Sequence, residues 1–211
     1  MAAAAKSAAS VIEIKPIEMS TIRVPIRGET PLIMHAWSEK AKTIMLEAQQ
    51  GVKRHREVRD PAADYEASFY RTASGAYGFP TLGFKAATVG AARYYSKQLK
   101  MTELRQWMWF VWDEISADQS VGLTVIEGEP RMREDMVTVG MGTDLRYRPE
   151  FLSWTATLTI RYVTSALSRG TILALVDGGG QGVGVGDWRV EKKGDHGMYV
   201  VDESRDVEVV K

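Results

Sequence analysis

The chain has 211 residues, 45% of them hydrophobic and 26% charged, enough for one large domain with its own core. It has no cysteine, which excludes a disulfide framework, a thiolate metal site and a cysteine nucleophile. Its 27 Lys and Arg balance 27 Asp and Glu, so a polyanion could be met only by a local basic groove, not by the whole surface.

Residues 1–18 read as a flexible tail. Met-Ala-Ala-Ala-Ala-Lys lacks the apolar centre of a secretion signal, and no apolar run is long enough to span a bilayer, so a cytoplasmic protein with no membrane partner is expected. From Thr21, Ile22, Val24 and Ile26 alternate with Arg23 and Arg27, the pattern of a half-buried strand, and Pro25 pushes that strand toward a sheet edge or bulge. Leu32 to Met34 is a second apolar stretch. Ser38 can then cap a helix through Gln50 whose apolar stripe is Ala41, Ile44, Met45 and Ala48.

Lys53, Arg54, His55, Arg56 and Arg59 form the densest positive patch, ending in Arg59-Asp60-Pro61. Such a run is either a solvated loop or a phosphate contact. Tyr65, Phe69, Tyr70 and Arg71 follow; they suit base stacking beside cations or, equally, the core face of a short helix. A short strand ending at Pro80 leads into a helix of small residues (Ala86, Ala87, Gly90, Ala91, Ala92). Lys85 is expected in its first turn, where the helix dipole disfavours a cation unless an anion is near.

Thr102 to Ile115 reads as a second helix, with Leu104, Met108, Val111 and Ile115 on one face and Trp107, Trp109 and Trp112 around it. Those tryptophans suit core or subunit contact before base stacking. Val121 to Ile126 is strand-like, and Glu127 to Glu150 is a polar hairpin or arm with a possible strand at Met136 to Val139. Phe151 to Val163 is the clearest strand, with Trp154, Ala156, Leu158, Ile160 and Tyr162 alternating with threonines. Ser165 is expected to cap a helix to Val176, and Asp187–Glu191, Met198–Val201 and Val207–Val210 to close the sheet.

Between them lies Gly178 to Gly186, Gly-Gly-Gly-Gln-Gly-Val-Gly-Val-Gly. A dinucleotide fingerprint needs G-x-G-x-x-G after a strand and opening a helix, and a P-loop ends in Gly-Lys-Ser/Thr; this run fits neither. It reads either as a flexible connection or as a backbone surface pressed against an extended chain or a neighbouring subunit. His35, His55 and His196 have no metal-ligand spacing, so no metal or cofactor is expected.

These motifs in this order resemble the RAMP (repeat-associated mystery protein) superfamily, which includes the backbone subunits of CRISPR effector complexes. Phe79-Pro80 and Phe84-Lys85-Ala86 fall on that family's proline turn and lysine motif, Arg93 on its downstream arginine, and Gly182, Gly184 and Gly186 on its late glycine-rich loop. Arg59-Asp60-Pro61 resembles the segment where some backbone subunits place a cleaving aspartate. The resemblance implies an α+β chain: a ferredoxin-like (RRM-like) β-α-β-β-α-β core, residues 19–211 as one domain, with insertions at about 38–74 and 127–150. It also implies a non-enzymatic, single-stranded nucleic-acid-binding protein, RNA ahead of DNA, assembled as a homo-oligomeric backbone or filament within a larger ribonucleoprotein complex. Phosphates would meet Lys53, Arg54, Arg56, Arg59, Lys85 and Arg93, beside the backbone of Gly182, Gly184 and Gly186. Two alternatives stay open: an endoribonuclease of the same fold using His35 or Asp60, and a self-assembling structural protein without nucleic acid.

Overall fold

A computed structural model describes residues 16–37, 39–51, 58–95, 99–139 and 142–210. In chain order its elements are β1 (Met19–Gly28), β2 (Leu32–Ile33), α1 (Glu39–Gln49), α2 (Pro61–Ala67), β3 (Tyr70–Arg71), β4 (Tyr77–Pro80), α3 (Thr81–Gly90), α4 (Ala92–Tyr95) and α5 (Met101–Trp107). There follow β5 (Met108–Val111), β6 (Glu114–Ile115), β7 (Gly122–Glu127), β8 (Pro130–Val139), β9 (Gly142–Phe151), β10 (Thr155–Val163), α6 (Arg169–Gly182), β11 (Tyr199–Val201) and β12 (Glu208–Val210). This is a mixed α+β chain with antiparallel sheets. Of the expected tail, only 16–18 are described. Among the described residues no helix is long and apolar enough to cross a membrane.

The centre is the pair β1·β10, antiparallel in a register that runs from Met19 opposite Val163 to Arg27 opposite Thr155. Period-2 alternation places Ile22, Val24 and Ile26 with Ala156, Leu158 and Ile160 on one face, all at most 2% exposed. On the other side β10 meets β5, and further along β7, while β1 meets β11 and β12. Pro25 is tolerated because β11 covers β1 only from Ile26 and β12 only to Arg23, so the missing N–H faces the gap between them. The apolar face is covered by α3 and α6, which pack on each other. Phe84, Trp154 and Tyr199 close the end of this core with ring centroids 5.7–6.5 Å apart. A second sheet, β2-β9-β8, carries the long hairpin of the 127–150 segment.

Several elements differ from the sequence reading, each for a local reason. The expected helix over Thr102 to Ile115 stops at Trp107. Met108-Trp-Phe-Val then alternates buried and exposed and pairs with β10, so strand periodicity prevails in this aromatic run. The helix expected to end at Val176 continues to Gly182, and Ser168, not Ser165, caps it by accepting from the Thr171 N–H at 3.1 Å. Asp187 to Glu191 is not a strand. Trp188 takes a left-handed φ of 55° and the chain turns into a single 3-10 turn at Val190–Lys192. Lys85 is the fifth residue of α3, one position beyond the first turn. The α1 stripe is not core, since Ile44 and Met45 are exposed; Ser38 lies outside the described residues.

Candidate functional site

Five of the residues singled out from the sequence (His35, Lys85, Arg93, Gly184 and Gly186) line one cleft of about 600 Å3. One wall is α3 with Lys85, continued by Arg93 on α4 and Arg105 on α5. The other is the loop after α6, from Val183 to Glu191, with His35, Tyr70 and Phe79 at the end. Four cations (Lys85, Arg93, Arg105, Arg189) therefore line the cleft together with two carboxylates, Asp187 and Glu191.

Lys85 is the most telling of them. Burial, and then the neighbouring Arg105 guanidinium, pull its pKa below the ordinary lysine value. Its Nζ donates to the Arg105 carbonyl at 3.1 Å, and among the described residues it has no carboxylate partner. A half-buried ammonium set beside a second cation is a place where an added anion is favoured on both counts.

The glycine run has a different role from the one its composition suggests. Gly178, Gly179, Gly180 and Gly182 lie inside α6, where glycine costs about 1 kcal/mol against alanine in isolation. Packing overrides that cost: a Cβ at Gly179 would stand 2.7 Å from the Ala87 carbonyl of α3, and one at Gly182 would overlap the Tyr94 ring. Gly184 and Gly186 have φ of 72° and 80°, which need glycine. A Cβ at Gly186 would lie 2.5 Å from the Ile33 carbonyl oxygen, so the loop is pressed against the protein's own β2. The loop N–H groups of Gly184, Val185 and Asp187 donate to Gly179, Gly197 and Ile33. These three N–H groups are therefore already satisfied within the protein.

Behind the loop lies an ionic cluster that sequence reasoning missed. Arg148, 1% exposed, donates to Asp187 and to Asp135, each at 2.5 Å. Arg133 bridges Asp135 and Glu150 at 2.8 and 2.7 Å, Arg131 adds a bond to Glu150 at 2.6 Å, and the Trp188 ring covers Arg133 and Arg148. Burial pushes the Asp187 carboxyl up, but hydrogen bonds from His35 and Arg148 outweigh it and hold it below the usual carboxylate range. Glu150 behaves likewise through Arg131 and Arg133. The signal was there to read: charges at 131, 133, 135 and at 146, 148, 150 recur every second residue, which puts each set on one face of its strand.

Of the remaining described candidates, Arg59 and Asp60 do not line the cleft. Lys53, Arg54 and Arg56 lie outside the described residues. Arg59 is held by Asp64 at 2.7 Å and Asp144 at 2.5 Å, tying α2 to the hairpin. Asp60 caps α2, accepting from the Ala62 and Ala63 N–H groups at 3.0 and 3.2 Å. Asp60→Ala is accordingly expected to lose about 1 kcal/mol of stability. Asp60→Ser should recover most of it, both read from urea unfolding. Phe69 stacks on Tyr77 beneath Arg71 and belongs to the core, whereas Tyr70 lines the cleft. His35 sits at the cleft end with Nδ1 3.5 Å from Asp187 and 3.5 Å from the Arg146 guanidinium. Among the described residues no group of three or more His, Asp or Glu is placed to hold a metal ion.

No family model matches the chain, and no curated protein matches it. Among solved structures it is similar to Cmr6 from Pyrococcus furiosus, at 8% identity and a TM-score of 0.41, over 89% of this chain and 100% of that one.

Proposed function

We propose that the protein binds single-stranded nucleic acid, RNA ahead of DNA, along the cleft between α3, α5 and the 183–191 loop. The observation that carries this reading is Lys85: a half-buried ammonium bonded to the Arg105 carbonyl, sharing the cleft with the Arg105 side chain, and with no carboxylate partner among the described residues. Side-chain cations lining a cleft contact phosphates without reading bases, the pattern of a sequence-independent strand binder. The core is read as ferredoxin-like, supported by the strand order β11-β1-β10-β5 and by α3 and α6 packed on one face. The segments 38–74 and 127–150 are then insertions into one domain. Repetition along a strand, as in a CRISPR-type backbone, gives a use to the exposed Trp109, Val111, Trp112 and Ile115, which fit a contact with the next copy. Such a complex would be cytoplasmic.

The test is the ultraviolet absorbance ratio of the purified protein, followed by nuclease digestion of what co-purifies. A ladder with a regular step, erased by ribonuclease and absent from Lys85→Glu/Arg105→Glu protein, is the expected result. A clean protein spectrum, with no binding of added single strands at low salt, would refute it. A second reading, strand cleavage, rests on His35 at the cleft end beside Asp187. Cleavage that survives His35→Ala would dispose of it.

A further inference from the structure

Within the cleft, the two carboxylates are not equivalent. Asp187 is gripped from behind by buried Arg148. Among the described residues Glu191 has no buried arginine behind it. Its Oε2 lies 3.1 Å from Arg189 and its Oε1 3.8 Å from Arg93, so its two oxygens address two guanidiniums from different elements. The second separation is beyond hydrogen-bonding distance, and the Arg93 side chain is 56% exposed, so that contact opens easily. Arg189 stays aimed into the cleft without it, through a bond to the Gly186 carbonyl at 3.3 Å.

We propose that Arg93 and Arg189 form a subsite for one phosphodiester of a bound single strand, and that Glu191 occupies it until the strand displaces it. A phosphodiester matches what the carboxylate supplies, one negative charge on two terminal oxygens, and guanidinium forks suit both. The inference rests on the reading of the cleft as a nucleic-acid site. It adds that the protein carries its own competitor there, which weakens binding.

The experiment uses the full chain and a fluorescein-labelled oligouridine, with anisotropy read between about 50 and 200 mM salt. Glu191→Gln is expected to tighten binding about five- to tenfold, because no carboxylate has to be displaced. The double variant Arg93→Gln/Glu191→Gln should lose that gain, and Glu203→Gln, an exposed carboxylate elsewhere, should not produce it. Wild-type binding with no gain in Glu191→Gln, or a gain that persists in the double variant or is matched by Glu203→Gln, overturns the subsite and leaves the cleft reading standing. Absence of binding in wild type and in Glu191→Gln alike overturns both.

Discussion

Gly180→Ala is expected to lower the thermal unfolding midpoint by roughly 4–8 °C, although alanine is the better helix former. The added Cβ would stand 2.7 Å from the Tyr199 carbonyl carbon and overlap its oxygen. That neighbour is backbone of β11, paired to β1, and has no side-chain rotation with which to yield. Overpacking of this kind costs about 3 kcal/mol, against about 1 kcal/mol gained in helix propensity. Gly170→Ala, in the same helix, supplies the contrast: its Cβ would meet only the Ser168 hydroxyl oxygen, at 3.9 Å. There the propensity gain stands alone and the midpoint should rise by about 2–4 °C. Equal responses at the two positions in calorimetry would show that α6 is not seated on β11.

The second large effect belongs to Arg148→Met, expected to cost about 3–5 kcal/mol because it strands carboxylates that its buried charge now satisfies. In the wild type, Asp187 and Glu150 are held below their ordinary pKa. Their contribution is therefore fully present above about pH 4 and is lost as pH falls through the lower, folded values. In the variant, His35 is the charge partner that remains to Asp187 among the described residues, and burial then favours the neutral carboxyl. The deficit relative to wild type should be largest near neutrality and shrink as the pH approaches 4. Urea unfolding of both proteins at several pH values measures it. A deficit independent of pH would mean that lost packing, not charge, sets the cost.

The strands that could be read from the chain were those whose alternation was strict: β1 through Ile22, Val24 and Ile26, and β10 through Ala156 to Tyr162. The helix at Thr81 was equally legible from Pro80 and the small residues behind it. Local pattern failed where partners lay far away in sequence. Met108 to Val111 is too short to declare its period alone, and becomes a strand because Thr159 to Tyr162 offers an unpaired edge. Gly178 to Gly182 looked like a loop because propensity is a property of the isolated segment. The surfaces of Ala87, Tyr94 and Tyr199 turn the same glycines into a contact face.

The same division holds for the site. Lys85 stood out as a cation near a helix start, His35 as a lone histidine after a strand, the later glycines by their density, and Arg93 through the family resemblance. Arg105 and Arg189 did not, since a lone arginine on a helix or after a turn carries no pattern. Local pattern was enough for an α+β chain built on alternating strands, with cations near a helix start and glycines where φ must be positive. Such features depend on side chains a few residues apart, and those distances are set by covalent geometry. That α3, α5 and the 183–191 loop close on one cleft, and that Arg148 reaches both Asp135 and Asp187, follows from packing between distant segments. Electrostatic partnership falls steeply with distance, and distance between remote residues exists only after the core has packed.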